Sequence, residues 1–258
     1  CSQSRGLGDV YKRQICIFIY RGKFMGNQII NKMLKLKSRP MMDEVSSENF
    51  ELVEEEVRDI EDGEILVKNL YLSFDPTQRG WLNDVPSYIP PVQIGEVMRA
   101  GSVGRVIESK NQNFSEDDIV QGSFGWQEYA ISGEGAGFMP PQKLPEGISP
   151  TSALSIYGIT GLTAYFGMLD IGKPVENDTV LISGAAGATG SVAGQIARIK
   201  GASNIIGIAG GPEKCKWVVE EAGFDSCIDY KSEDVAARIT ELAPVSYTHL
   251  TLPTNGTV

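Results

Sequence analysis

TVLISGAAGATGSVAGQIARIKGASNIIGIAGG, residues 179–211, is the stretch whose reading decides the fold. Thr179–Ser183 is a short apolar run rich in β-branched residues, which fits a buried strand. Gly190–Lys200 then sets Val192, Ile196 and Ile199 at helical spacing, and Asn204–Ala209 is a second apolar run of strand length. Between the first strand and the helix stands GAAGATG, Gly184–Gly190. On the G-x-G-x-x-G pattern, Ala185 takes the first place, Gly187 the second and Gly190 the third. The second glycine lets backbone N–H groups approach a pyrophosphate, and the third lets the helix lie close on the strand. The helix N-terminus adds positive potential for phosphate. Glycines at this spacing alone would also fit a plain tight turn. Their position between a buried strand and an amphipathic helix, with a second strand following, selects dinucleotide binding.

The alternation continues. Pro212 opens a helix where its missing N–H costs nothing, Ser226–Tyr230 reads as a third strand and Ser232–Leu242 as a third helix. Strands alternating with helices imply a parallel sheet, and a full dinucleotide domain has six strands in two halves, so this region is expected to supply one half. NAD-specific forms carry an acidic residue about 20 positions past the glycines, bonded to the ribose 2′-hydroxyl. Here the second strand ends in Ala209-Gly210-Gly211 without a carboxylate. That permits a 2′-phosphate, with Lys214 to oppose its charge and the Tyr230 hydroxyl to donate to it. The plainer roles are a solvated surface lysine, its field weakened by Glu213, and a packed strand-end tyrosine.

Ahead of this region, residues from Asn27 to about Ser149 read as short strands. Glu64–Leu72 alternates as a half-buried strand does; Gly95–Glu108, Asp118–Gln121 and Trp126–Ile131 extend the theme, and Asp75-Pro76, Val85-Pro86 and Pro90-Pro91 mark loops. Ser152–Leu169 is long, apolar and helix-compatible. A net charge of -10 disfavours nucleic acid as a partner. The four cysteines, Cys1, Cys16, Cys215 and Cys227, form no C-x-x-C pair and read as free thiols of a reducing compartment. With His249 the sole histidine, no zinc-ligand cluster can be assembled, and no metal is expected. The apolar run Ile15–Tyr20 is far short of the ~20 residues that span a bilayer. Membrane partners are therefore not expected, and the chain reads as cytoplasmic.

Both ends, CSQSRGLGDVYKRQ (Cys1–Gln14) and VSYTHLTLPTNGTV (Val245–Val258), resemble translated sequencing-adapter DNA. Residues 1–24 are read as a non-native leader before Met25 and 245–258 as a non-native tail. Between them lie a first domain, 25–150, and half of a second, 151–244; the chain is read as a fragment.

Several ordered blocks resemble one family. They are ENFELVEEEV (Glu48–Val57), LYLSFDPTQRGW (Leu70–Trp81), PPVQIGEVMRAGSVGRVIES (Pro90–Ser109), GWQEYAI (Gly125–Ile131), GLTAYFGMLDIG (Gly161–Gly172), GAAGATGSVAGQIARIKG (Gly184–Gly201), GPEKC and DYK. The sequence is similar to the zinc-free medium-chain dehydrogenase/reductases that include prostaglandin reductase, alkenal double-bond reductases and curcumin reductase. The resemblance implies an α/β fold, a GroES-like β-barrel domain followed by an incomplete Rossmann sheet, with a cofactor cleft between them. It implies NADP(H), with pyrophosphate contacts on Gly187, Ala188, Thr189 and Gly190, 2′-phosphate contacts on Lys214 and Tyr230, and Thr163 with Tyr165 near the nicotinamide. The implied reaction is NADPH-dependent reduction of the C=C bond of an α,β-unsaturated carbonyl compound, by a homodimeric full-length enzyme. The alternatives are an NADPH quinone reductase of the same superfamily and a non-catalytic NADP-binding protein. Where many members carry Tyr-Met after the Asp-Pro pair, this chain has Thr77-Gln78, which puts carried-over substrate preference in doubt. Arg79 is read as an ion pair or loop anchor. Tyr88 is a substrate-contact candidate whose plainer role is loop packing, and the catalytic proton donor is not assignable.

Overall fold

A computed structural model describes residues 28–40, 44–133 and 138–244, together with the backbone of Ile15–Cys16 and of His249–Thr251. Cys1, Met25 and most of the adapter-like ends lie outside the described residues, as do the side chains of Cys16 and His249. Two compact units divide at Leu154/Ser155.

The first unit is built on strands β1 (Ile15–Cys16), β2 (Ile30–Leu36), β3 (Phe50–Glu56), β4 (Glu64–Ser73), β5 (Ser102–Ser109), β6 (Ile119–Gly122), β7 (Tyr129–Gly133) and β8 (Gln142–Lys143), with helices α1 (Thr77–Trp81) and α2 (Pro150–Ala153). An antiparallel sheet runs β1-β4-β5-β6-β8, with β7 also on β4, and β2 pairs with β3 as a separate ribbon. The ladder of β4 with β5 shifts register at Leu66/Val67 and at Asn69/Tyr71, and such bulges bend and twist a strand. Ile65, Val67, Val106, Val120, Phe124 and Ala130 form one core; Leu36, Leu82, Val92 and Met98 form another. Of the expected strand Gly95–Glu108, the first half is irregular. Gly95 takes φ +89°, and the chain bonds to β2 piecemeal, through Met98 N–H to Leu34 O at 2.9 Å and Leu36 N–H to Glu96 O at 2.9 Å. The strand-built domain is therefore present, but among the described residues its sheets do not close into a continuous ring.

The second unit has strands β9 (Thr179–Ser183), β10 (Asn204–Ala209), β11 (Ser226–Asp229) and β12 (His249–Thr251), and helices α3 (Ile159–Phe166), α4 (Ala188–Ile199), α5 (Pro212–Glu220) and α6 (Val235–Leu242). The sheet is parallel in the order β11-β10-β9-β12. Three strands were expected. The fourth comes from the adapter-like tail, whose His249–Thr251 pairs with Val180–Ile182. Without that segment the edge of β9 would present unpaired N–H and C=O groups, a template for any extended segment. One face of the sheet meets α4 and α5 through Val180, Ile182, Ile205, Ala193, Ala197, Val218 and Phe224; the other meets α6 through Leu181, Ile206 and Ile228. Both faces are covered, which is why β9 and β10 are apolar throughout rather than alternating. Arg198 ties the end of α4 to the turn before β11, donating to Asp225 at 2.6 Å, while the same carboxylate accepts from Ile205 N–H at 2.6 Å.

The expected long helix Ser152–Leu169 is broken into α2, α3 and a π-helical turn, Gly167–Gly172. Gly158 stands extended before α3, and Gly161 lies so close to the Ile156 carbonyl that a Cβ would collide with it. The helix is interrupted where uniform apolarity had suggested continuity.

Gly194 on α4 lies directly against the ring of Phe224. Gly194→Ala would force the ring and the helix apart and should cost about 1–3 kcal/mol by overpacking. Ile199→Ala, at a residue 82% exposed on the same helix, should change stability little. Thermal or urea unfolding of the two variants checks this; equal effects would contradict the packing described.

Candidate nucleotide site

The turn from β9 into α4 is held by main-chain contacts. Gly184 adopts φ +60°, and its carbonyl accepts from Gly187 N–H at 2.8 Å. Ala185, placed first in the glycine motif by spacing, is instead fully buried and donates its N–H to Ile208 O at 3.0 Å. The left-handed residue of the turn is thus Gly184, one place earlier, because Ala185 extends the pairing of β9 with β10. A Cβ on Gly190 would strike the backbone of Gly184 and Ala185. That close approach is what the third glycine of the motif is for.

Gly187 is the residue before α4, extended at φ −83°, ψ 165°, and no side chain caps the helix. The first N–H groups of a helix have no intrahelical acceptor. The amides of Ala188, Thr189 and Gly190 therefore point out of the helix end uncapped, a chemistry suited to a diphosphate. At the neighbouring strand end, Tyr230 N–H donates to Ala209 O at 3.1 Å, and its phenol ring lies over Gly210 with one side open to solvent. Lys214, in the first turn of α5, is exposed and makes no ion pair among the described residues. The structure thus brings Gly187–Gly190, Lys214 and Tyr230 to the C-terminal edge of one parallel sheet, where open α/β sheets take their ligands.

One residue at this sheet edge escaped the sequence reading. Asp229, at the end of β11, is 8% exposed and accepts from Gly211 N–H at 2.7 Å, Lys231 N–H at 3.0 Å and the Ser232 hydroxyl at 2.9 Å. Those donors, the two backbone amides foremost, hold its carboxyl below the ordinary aspartate range. The end of β10 carries no carboxylate in sequence, yet the fold delivers one from β11. Its oxygens are spent on the turns that carry Lys214 and Tyr230. The DYK block contained the signal, but the partner amide lies 18 residues away.

Thr163 donates to Ile159 O at 2.6 Å along α3 and is exposed, and Tyr165 is exposed with an edge-to-face contact to Phe166. Neither sits in a packed helix interior. In the first unit Tyr88 is 69% exposed and accepts from Trp81 Nε1 at 3.3 Å. Arg79 donates to Asn83 Oδ1 at 2.7 Å across one helical turn. Gln78, of the divergent pair, is buried and donates to Ser73 O at 2.8 Å, while Thr77 is exposed. Burial pushes the Asp75 carboxyl up, against the Ser73 hydroxyl that donates to it at 2.8 Å.

Among the described residues, no three His, Cys, Asp or Glu side chains gather to hold a metal, and no helix is long and apolar enough to cross a membrane. Residues 32–140 match the family described as an N-terminal domain of oxidoreductase, and 188–253 the family described as zinc-binding dehydrogenase. NADPH-dependent curcumin reductase of Escherichia coli is 41% identical over 214 residues, which are 83% of this chain and 61% of that protein. Prostaglandin reductase 1 of Bos taurus is 37% identical over 203 residues, 78% of this chain and 59% of that one. The crystal structure of CurA in complex with NADPH from Vibrio vulnificus superposes with a TM-score of 0.75 at 39% identity, covering 84% of this chain and 63% of that one. The chain belongs to the medium-chain dehydrogenase/reductases, in the zinc-free group that holds the curcumin and prostaglandin reductases. It spans about three fifths of the length of these relatives.

Because Asp229 is more acidic folded than unfolded, its contribution to stability is complete above about pH 4, the unfolded aspartate value, and fades as pH falls through the lower folded value. Asp229→Asn should therefore be less stable than the parent at pH 7, and the difference should shrink below pH 4. Unfolding curves of the two proteins across this range check it; a constant difference would contradict the assignment.

Proposed function

We propose that the protein binds NADP(H) at the C-terminal edge of its parallel sheet and reduces the C=C bond of α,β-unsaturated carbonyl compounds. The observation that carries this reading is the convergence of uncapped α4 amides with Lys214 and Tyr230 at one sheet edge. The names of the relatives support it: one is an NADPH-dependent curcumin reductase, another a prostaglandin reductase.

In this reading Ala188, Thr189 and Gly190 N–H groups bind the diphosphate, and Gly187 leaves the approach free of a side chain. Lys214 and the Tyr230 hydroxyl bind the 2′-phosphate, with Asp229 positioning both turns. Thr163 borders the nicotinamide side, although its hydroxyl is already committed to Ile159 O. When bound, NADPH supplies the hydride for the carbon β to the carbonyl. Tyr88, exposed with its hydroxyl near Trp81, is the proposed substrate contact in the first unit. A homodimer and a cytoplasmic setting complete the proposal.

A charge-assisted contact is worth about 1.5–3 kcal/mol, or roughly 10–100-fold in affinity. Lys214→Ala should weaken NADPH by about that factor while leaving NADH within about twofold, read by fluorescence titration. Equal losses for both would refute the 2′-phosphate role. Steady-state NADPH oxidation with a conjugated enone and with a quinone tests the substrate class; enone should be preferred, and a strong quinone preference would overturn the choice.

A further inference from the structure

Cys215 and Cys227 stand 12 positions apart in sequence, yet the fold sets their Sγ atoms 2.8 Å apart. Cys215 lies in the first turn of α5 and Cys227 within β11, and both are half-buried. We propose that these two thiols form a reversible redox site, closing to an intramolecular disulfide on exposure to a hydroperoxide. The proposal stands apart from the cofactor reading, since neither sulfur is assigned a contact with nucleotide or substrate.

Three observations carry it. The sulfurs are already in contact, so closing to the ~2.05 Å of a disulfide needs an approach of less than an ångström. The two residues sit on elements held in register by other bonds: Gly211 N–H to Asp229 at 2.7 Å on one side and Phe224 N–H to Val218 O at 3.2 Å on the other. The proximity is therefore a property of the fold and not of two loose side chains. Partial exposure admits a small oxidant to both. Burial pushes the Cys227 thiol up, which makes it slow toward peroxide, so the first oxidation falls on Cys215.

The chemistry balances. Cys215 sulfur attacks the peroxide O–O bond, giving a sulfenic acid and releasing water from hydrogen peroxide. Cys227 sulfur then displaces the sulfenic oxygen, which leaves as a second water carrying the Cys227 proton. Two thiols and one hydrogen peroxide become one disulfide and two waters; the sulfurs lose two electrons in total and the peroxide gains them.

The test uses purified protein treated with hydrogen peroxide, alkylated, and digested with trypsin without reductant. The expected product is the peptide Cys215–Lys216 joined to Trp217–Lys231, lost on reduction. Thermal unfolding should shift up by about 5 °C in the oxidised protein, as expected when a short loop is closed. Cys227→Ser should give no joined peptide but a Cys215 sulfenic acid that dimedone traps, and Cys215→Ser should give neither. A parent protein in which dimedone labels Cys215 while no joined peptide forms would overturn the proposal, as would cross-linking of Cys215 to any other cysteine.

Discussion

The second unit depends on two stretches of backbone passing closer than any side chain allows. Gly190 of α4 rests against the main chain of Gly184 and Ala185, and from that contact follows the angle at which the helix leaves the sheet. With the helix pinned there, its uncapped first turn faces out from the sheet edge, and Gly194 further along can receive the ring of Phe224. The electrostatic property of the site is thus a consequence of a packing constraint. A helix held a few ångströms further out would keep its dipole but lose the turn that aims it.

Around that contact the remaining parts of the site are held by hydrogen bonds to the main chain. Asp229 gathers the amides of Gly211 and Lys231, so the turns bearing Lys214 and Tyr230 are tied to one carboxylate. A carboxylate at this place would ordinarily argue against a 2′-phosphate. Here three donors already satisfy its oxygens, and it faces the backbone. Lys214 and Lys231 are positively charged groups left exposed on these turns.

Much of this was legible from local pattern. The bounds of β9 and β10 follow from uninterrupted apolar runs, and the start of α5 follows from Pro212. Ser152–Leu169 misled because apolarity does not reveal continuity: Gly158 stands extended ahead of α3, and Gly161 sits against the Ile156 carbonyl. Gly95–Glu108 misled for a related reason: its first half does pair with β2, but through isolated bonds rather than a ladder. Ala185 holds the first place of the glycine pattern by spacing; the structure adds that its N–H pairs with Ile208 O and that the positive φ of the turn falls on Gly184. Asp229 and the Cys215–Cys227 contact were beyond local reading because each joins positions 12 or 18 residues apart that only the packing of β10, α5 and β11 brings together.

The central claim is that this sheet edge recognises an adenosine ribose bearing a 2′-phosphate, and calorimetric titration with 2′,5′-ADP and with 5′-AMP tests it most directly. The account predicts that 2′,5′-ADP binds at least about tenfold more tightly and that the advantage shrinks as salt is raised, since the added contact is a charge-assisted one. Indistinguishable affinities for the two nucleotides would contradict it.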